Sequence, residues 1–417
     1  MRSRLRTILD RVGKQTDTSF QVVFPDGSSI QSKEQDPVVT VVFKSRRAEL
    51  RVLLFGHVGL LESYFDQSVD IEGDIAAAFR AAMDSGFARD ANLLIRLRNR
   101  WHEWRFSNRS LRQARANANY HYALGTDFYR LWLDRIGMMY TCAYWKEGTS
   151  SLEEAQWNKM EHVCRKIRLQ QGERVADIGC GWGGFMFHAH RYHGARCSGF
   201  NVTGEQLESL QRMIDQRGLG EDLKVSDSDF REVPGYFDKC ASIGVLEHAG
   251  RDQLPETISA MANVLKPGGL GVLHFIGHVG QRDTEFYIRK HIFPGGWIPS
   301  LSHALSLMEE NGLEILDVEN LRRHYALTLD VWAERFEAQQ EEIRKLDPRR
   351  FDEYFYRKWR TYLYSCAEMF RSPNSTTYLF QVVFSKGNVD YDYPMSRRYL
   401  YAEDFRMPRD AGGDGND

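Results

Sequence analysis

Apolar positions early in the chain come in short runs separated by turns. Phe20–Phe24, Val38–Phe43 and Glu49–Phe55 each read as a strand, and Pro25-Asp26-Gly27-Ser28 between the first two is a turn signature. Two helical patterns follow, Gly59–Phe65 and Ile75–Met83, with Asp74 placed to cap the second. This reads as a small α+β module with no catalytic constellation.

The pattern changes after residue 117. A helix is expected over Leu152–Ile167. Strands then alternate with helices: strands at Arg174–Ile178, Arg196–Phe200, Leu223–Ser226, Lys239–Gly244 and Leu270–Phe275, with a helix over Leu254–Leu265. Such alternation implies a parallel sheet with helices on both faces and ligands at the strands' C-terminal ends. A helix at Leu301–Asn311, a strand at Leu313–Glu319 and an aromatic helical region at Leu327–Phe370 follow. The last strand, Tyr378–Phe384, is expected to complete the sheet edge. The fold class is therefore α/β, a doubly wound Rossmann-like sheet with a smaller N-terminal α+β domain. The expected domains are 1–90, a basic and aromatic linker at 91–116, a catalytic domain at 117–390, and a tail at 391–417 whose Gly/Asp-rich end reads as disordered.

Composition narrows the function classes. The formal net charge of −2 leaves no global basic field for nucleic acid. No run approaches the ~18–20 apolar residues of a membrane span. The N-terminus lacks the apolar core of a signal peptide. The six cysteines are scattered, with no C-x-x-C pair and no zinc-type spacing, so reduced cytosolic thiols and no metal are expected. One local segment stands apart. At 92–115, Leu93, Leu94, Leu97, Trp101, Trp104 and Phe106 interleave with seven arginines, Arg96, Arg98, Arg100, Arg105, Arg109, Arg112 and Arg115. That mixture suits the surface of an anionic bilayer; a solvated linker helix whose tryptophans pack on a neighbour is the plainer alternative, and RNA binding a weaker third.

The strongest chemical signal is Val175-Ala-Asp-Ile-Gly-Cys-Gly-Trp-Gly-Gly-Phe185, a strand entering a glycine-rich turn before a helix. Gly179, Gly181 and Gly184 satisfy the dinucleotide fingerprint G-x-G-x-x-G. The same residues read D-x-G-x-G-x-G, the S-adenosylmethionine (SAM) loop of class I methyltransferases. A nicotinamide site wants an acid about 20 residues on, and Gly199-Phe-Asn-Val has none. Asp177 tips the balance, because a carboxylate there suits the α-amino group of SAM and NAD carries no such ammonium. Asn201 and Gln206 are candidates for the ribose hydroxyls.

The residues around the loop carry a resemblance. Tyr120-His-Tyr-Ala-Leu-Gly-Thr-Asp-Phe-Tyr129, Met139-Tyr-Thr-Cys-Ala-Tyr-Trp145, Asp177–Gly184, Asp229-Phe-Arg231, Gly244-Val-Leu-Glu-His248, Leu273-His-Phe-Ile-Gly277, Ile292-Phe-Pro-Gly-Gly296, His324-Tyr-Ala326 and Phe380-Gln-Val-Val-Phe384 stand in order. Across 117–385 the chain resembles the cyclopropane-fatty-acyl-phospholipid synthase family of SAM-dependent methyltransferases. The resemblance implies methylene transfer from SAM to a cis double bond of an unsaturated phospholipid acyl chain. A carbocation forms and a bound bicarbonate ion takes its proton. Carried over by motif, the bicarbonate ligands are Cys142, Glu247, His274 and Tyr325 with the backbone of Ile276. SAM contacts are Tyr140, Thr141, Asp177, Gly179, Gly181, Asn201, Gln206, Asp229 and Phe230. A methylene- or methyl-branched product is the alternative outcome. Taken singly, each anion ligand has an ordinary structural role open to it: a small buried thiol, a helix-capping Glu, a bonded strand His, a core Tyr. The chain departs from its relatives at Ala123 and Thr126, where they often carry an acid and an Asn. The resemblance further implies a cytoplasmic protein, peripheral on the inner membrane face, with homodimerisation open. It also gives the aromatic helices a candidate role lining an acyl-chain tunnel, against simple packing of their own core.

Overall fold

A computed structural model describes residues 2–86, 93–389, 393–401 and 406–408. The end of the tail, from 409, lies outside the described residues. Two compact units form: Met1–Arg105 with Glu285–Ile292 and Leu329–Ser375, and Phe106–Thr284 with Phe293–Thr328 and Thr376–Asp417. The domains expected from the sequence are contiguous, whereas the first unit also takes in two later segments.

The first unit contains α1 (Arg2–Gln15), β1 (Phe20–Val23), β2 (Ser29–Gln31), β3 (Val39–Phe43), α2 (Arg46–Phe65), β4 (Val69–Gly73), α3 (Ile75–Asp84) and α4 (Leu93–Arg105). Its sheet has the order β2-β1-β3-β4. The expected strand at Glu49–Phe55 is instead helical. The Ser45 side chain accepts from Ala48 N at 3.2 Å and starts the helix. Ala48, Glu49 and Val52 are buried while Leu50 and Leu54 are exposed, which is a helical stripe and not an alternation. Gly56, at φ 53°, then kinks the helix where a side chain would be strained. Helix Glu353–Arg371 packs on α2 and α3. The aromatics of 327–370 largely pack on one another: Phe336 and Phe355 both stack on the fully buried Trp359, with centroids 6.3 and 5.6 Å away.

The second unit contains α5 (Leu111–Tyr122), α6 (Thr126–Arg130), α7 (Leu152–Lys166), β5 (Arg174–Ile178), α8 (Gly184–His193), β6 (Arg196–Asn201), α9 (Gly204–Gln216), β7 (Leu223–Asp227), β8 (Phe237–Ile243), α10 (Leu246–Ala249), α11 (Leu254–Val264), β9 (Leu265–His278), β10 (Leu313–Asn320) and β11 (Thr377–Lys386). The sheet order is β10-β11-β9-β8-β5-β6-β7. Strands β5 to β9 are parallel, and β11 is antiparallel to both β9 and β10. The last strand therefore does not form the edge as expected. It inserts between β9 and β10, where its continuous apolar run can be covered on both faces. One apolar layer joins Ile178, Phe200 and Leu273 to Ile258 and Met261 of α11. The other joins Val175 and Val272 to Val163 of α7, Phe185 and Met186 of α8, and Leu210 of α9. Each fully buried Phe or Leu contributes ~1.5–3 kcal/mol. These layers hold the C-terminal ends of β5, β6, β8 and β9 in one row.

Candidate active site

The glycine turn between β5 and α8 is shaped by contacts that leave no room for side chains. Gly179 has φ 80°, and a Cβ there would lie 2.2 Å from Val245 Cγ2. Gly183 has φ 81°, and its Cβ would meet Leu210 Cδ1 at 2.4 Å. Gly181 differs: φ is 55°, yet nothing lies within 4 Å of where its Cβ would be. That backbone faces open space, as a ligand-approaching loop requires. Asp177 is buried, and burial pushes its carboxyl up to about 7 despite Lys159 pulling the other way.

The segment before α7 is fixed against this turn. Asp134 accepts from Gly137 N at 2.8 Å and Met139 N at 2.7 Å. A Cβ on Gly184 would collide with Met139 Sδ at 2.6 Å. Tyr140 sits in an aromatic group: stacked on His121 at 5.5 Å, and 5.3 Å from both Tyr129 and Trp132. Two residues the sequence reading passed over hold Thr141. Lys159 Nζ donates to its hydroxyl at 2.7 Å, and Gln156 Nε2 donates to its carbonyl at 2.9 Å. Lys159 is fully buried, and burial pushes it down to about 8 against the pull of Asp134, Cys142 and Asp177. A Gln and a Lys at i and i+3 on the apolar face of α7 were the signal available for this pair.

Of the five anion-ligand candidates, Glu247 and Ile276 are bonded to each other and His274 lies on the same strand as Ile276, while Cys142 and Tyr325 stand on neighbouring segments. A Cβ on Gly244, at the end of β8, would lie 2.7 Å from Thr141 Cγ2, which sets Cys142 beside the C-terminal edge of the sheet. Ala143 N and Trp145 Nε1 donate to Thr328 Oγ1 at 3.1 and 3.0 Å, and Trp145 N donates to His324 Nδ1 at 2.9 Å. These bonds bind the Cys142 segment to the turn of helix that carries buried Tyr325. Glu247 Oε1 accepts from Ile276 N at 2.6 Å. Its Oε2 is buried without a hydrogen-bond partner, and so is His274 Nε2. Burial pushes Glu247 up to about 7, with the Ile276 N–H opposing it weakly.

The tautomer of His274 follows from its neighbours. Glu319 Oε2 accepts from Lys166 Nζ at 2.6 Å, and Lys166 Nζ donates to Gln381 Oε1 at 2.7 Å. An ammonium only donates, so the Gln381 carbonyl must face Lys166 and its NH2 must face His274. Gln381 Nε2 lies 2.9 Å from His274 Nδ1, which therefore accepts and leaves the ring proton on Nε2. Burial, with Lys159 and Lys166 nearby, holds His274 well below its usual range and neutral. The unpartnered His274 Nε2 is thus a donor, and Glu247 Oε2 is a second buried polar atom without a partner. An anion bearing its own O–H fits this set. The Ile276 N–H is less available than expected, being held by Glu247, and Cys142 Sγ donates to Ala143 O at 3.2 Å.

The other expected cofactor residues lie around the same edge with partners of their own. Asn201 Nδ2 donates to Gln206 Oε1 at 2.9 Å, and Asn201 Oδ1 accepts from Val202 N at 2.8 Å. Asp229 is committed to Arg231, with bonds of 2.7 and 2.9 Å. Phe230 is half-buried and packs on the α11-side layer. Thr126, one of the two departures, accepts from Trp182 Nε1 of the glycine turn at 3.2 Å.

A seven-stranded sheet with this loop and carboxylate defines a SAM-dependent methyltransferase. The chain belongs to the Mycolic acid cyclopropane synthetase family, which matches residues 109–382. It is 33% identical over 341 residues to the cyclopropane-fatty-acyl-phospholipid synthase of Escherichia coli (strain K12), covering 81% of this chain and 85% of that one. It is 30% identical over 270 residues to cyclopropane mycolic acid synthase 3 of Mycobacterium tuberculosis, covering 61% and 92%. Among solved structures, mycolic acid cyclopropane synthase CmaA1 complexed with SAH and CTAB superimposes with a TM-score of 0.61 at 29% identity, covering 65% of this chain and 98% of that one.

Proposed function

We propose that this methyltransferase transfers a methylene group from SAM to the cis double bond of unsaturated phospholipid acyl chains, closing a cyclopropane ring. The observation that carries the reading is that Glu247 Oε2 and His274 Nε2, one just past the end of β8 and one near the end of β9, are both buried without a partner. An isolated alkene is a weak nucleophile, so the sulfonium methyl must be held close and in line. Tyr140 and the turn at Gly179–Gly181 hold the SAM end of that geometry, and the aromatic faces around Tyr140 suit a sulfonium cation. Attack leaves a cation on the acyl chain, and a proton must leave the new methyl group for the ring to close. Bicarbonate, when bound, would supply the base for that step. His274 Nε2–H and Tyr325 would be its donors, Cys142 would join them on releasing the Ala143 carbonyl, and Glu247 Oε2 would accept its O–H. Glu247 would meet that anion through the O–H it accepts on Oε2, which offsets the repulsion two facing carboxylates would otherwise feel.

The substrate lies in a bilayer, and α4 suits contact with one. Its inner face buries Ile95 with Val58 and Phe286. Its outer face leaves Leu93, Leu94, Leu97, Trp101 and Trp104 exposed, the two tryptophans at 62% and 70%. Arg96 and Arg100 are exposed on the same helix and complement anionic headgroups. No helix among the described residues is long and apolar enough to cross a membrane. Vesicles of cis-unsaturated anionic phospholipid with SAM and the protein are expected to yield acyl chains heavier by one CH2 and without a double bond. Unchanged chains under conditions where SAM binds would sink the proposal. Heavier chains that still hydrogenate readily would point to the methylene-branched product.

A further inference from the structure

The face between α7 and α8 holds a cluster that the catalytic reading does not use. Cys164 Sγ and one ring nitrogen each of His188 and His193 lie within 4.8 Å of one another. Glu161 joins them: its Oε2 is 3.2 Å from His188 Nε2 and 2.8 Å from His193 Nε2. Its other oxygen, Oε1, accepts from Arg165 Nε at 2.9 Å, so Oε2 alone faces the imidazoles. Glu161, Cys164 and His188 are buried. The His188 Nδ1 atom is buried with no hydrogen-bond partner, and the side chain of His193 is 19% exposed, giving a way in from solvent.

The backbone explains the convergence. Glu161 and Cys164 are three apart on α7 and share a face. His188 and His193 sit on the last two turns of α8, which packs on α7. A thiol, two imidazoles and a carboxylate are the donor types of a tetrahedral zinc-class site. In such a site the donor atoms stand roughly 3.3–3.8 Å apart, given metal–ligand bonds of about 2.0–2.3 Å. Cys164, His188 and His193 would tighten from within 4.8 Å to that spacing, and Glu161 Oε2 already lies 3.2 and 2.8 Å from the two imidazoles. A divalent cation with one thiolate and one carboxylate is neutral in itself, and the remaining positive charge is that of Arg165, which reaches solvent.

We propose that Glu161, Cys164, His188 and His193 bind one zinc-class divalent cation that ties α7 to α8. Binding releases the Cys164 thiol proton to solvent, so affinity rises with pH. The ion pins the helix that carries Gln156 and Lys159 to the helix that begins at the glycine turn. It therefore stiffens the frame of the SAM site from outside the reacting groups. The spacing, two ligands on each of two helices 20 or more residues apart, matches no short zinc motif, so the sequence reading saw only scattered cysteines.

The test uses untagged full-length protein, stripped of metal and titrated with Co(II). One equivalent is expected to bind, with tetrahedral visible bands and a thiolate-to-cobalt band in the near ultraviolet that zinc abolishes. Zinc is expected to raise the thermal midpoint by several degrees in the native protein and not in Cys164→Ser or His193→Ala. Calorimetric SAM binding by the variants checks that they are folded. X-ray absorption of the zinc-loaded native protein, expected to report one sulfur among nitrogen and oxygen ligands, needs no variant. A cobalt spectrum without a thiolate band, a band that survives Cys164→Ser, or an unchanged midpoint on adding zinc each overturns the proposal.

Discussion

Two glutamates of the same unit, one buried and one half-buried with a buried Oε2, have opposite fates. Glu161 lies among His188, His193 and Arg165; burial alone would raise it, but these hydrogen bonds win and hold it well below its ordinary 4.5. Glu247 has one backbone N–H, from Ile276, and an oxygen with no partner, so burial wins and pushes it up to about 7. The first environment is built to keep a charge. The second is built to keep a carboxyl poised between charged and neutral, as proton chemistry near pH 7 requires. Partners, not depth, separate the carboxylate held charged from the one proposed to be reactive.

The largest expected effect comes from removing the poised carboxyl. Glu247→Gln should lower turnover in the vesicle assay by roughly 10²–10⁴-fold, while SAM affinity by calorimetry stays within about threefold. Loss of SAM binding instead would place Glu247 in the cofactor site. At the other glutamate the loss should be of stability. Glu161→Gln in metal-stripped protein should cost about 3–5 kcal/mol by denaturant unfolding, because it strands buried donors. Being depressed in the fold, Glu161 stabilises above pH 4.5 and loses that contribution as the pH falls through its lowered pKa.

The sign reverses at Glu247. Its folded pKa is raised, so the native state disfavours its charge, and stability falls as pH rises from about 4.5 toward 7. Glu247→Gln should therefore be more stable than the native protein at pH 8, by up to about 3 kcal/mol, with no gain below pH 4.5. A variant that loses activity and gains stability would confirm that the carboxyl is kept at a cost; no gain at pH 8 would remove the contrast. The smallest effect probes the relay. Gln381→Glu still accepts from Lys166 but also accepts from His274, moving the ring proton to Nδ1. Turnover should drop roughly 10–100-fold, short of the ~10⁴ that a wrong tautomer costs a serine protease triad. Nitrogen NMR of His274 should show the exchanged tautomer, and an unchanged spectrum would refute the relay.

Much of the catalytic sheet was legible because its signals are local. Arg174–Ile178 is a short run, buried from Val175 on, apolar there but for Asp177 and leading into glycines, and it is β5 as read. The motifs at Cys142, Glu247 and His274 were readable only through resemblance, since a lone Cys, Glu or His has an ordinary role open to it. Glu49–Phe55 was misread because a short apolar run fits either period, and the Ser45 cap decided for helix. The place of β11 was misjudged because strand order is a long-range property: its partners lie near residues 274 and 318.

By itself the sequence determined the strand–helix alternation, the SAM turn and the residues that ring it, because backbone conformation and apolar period are set within a few neighbours. Only the tertiary structure decided which groups go unpaired. Lys166 and Gln381 are 215 residues apart, yet together they fix the proton of His274. Glu161 and Glu247 look alike in the chain, and their different charge states follow from the side chains that folding brings to one and withholds from the other. Protonation depends on distance and solvent exclusion in space, and sequence spacing encodes neither.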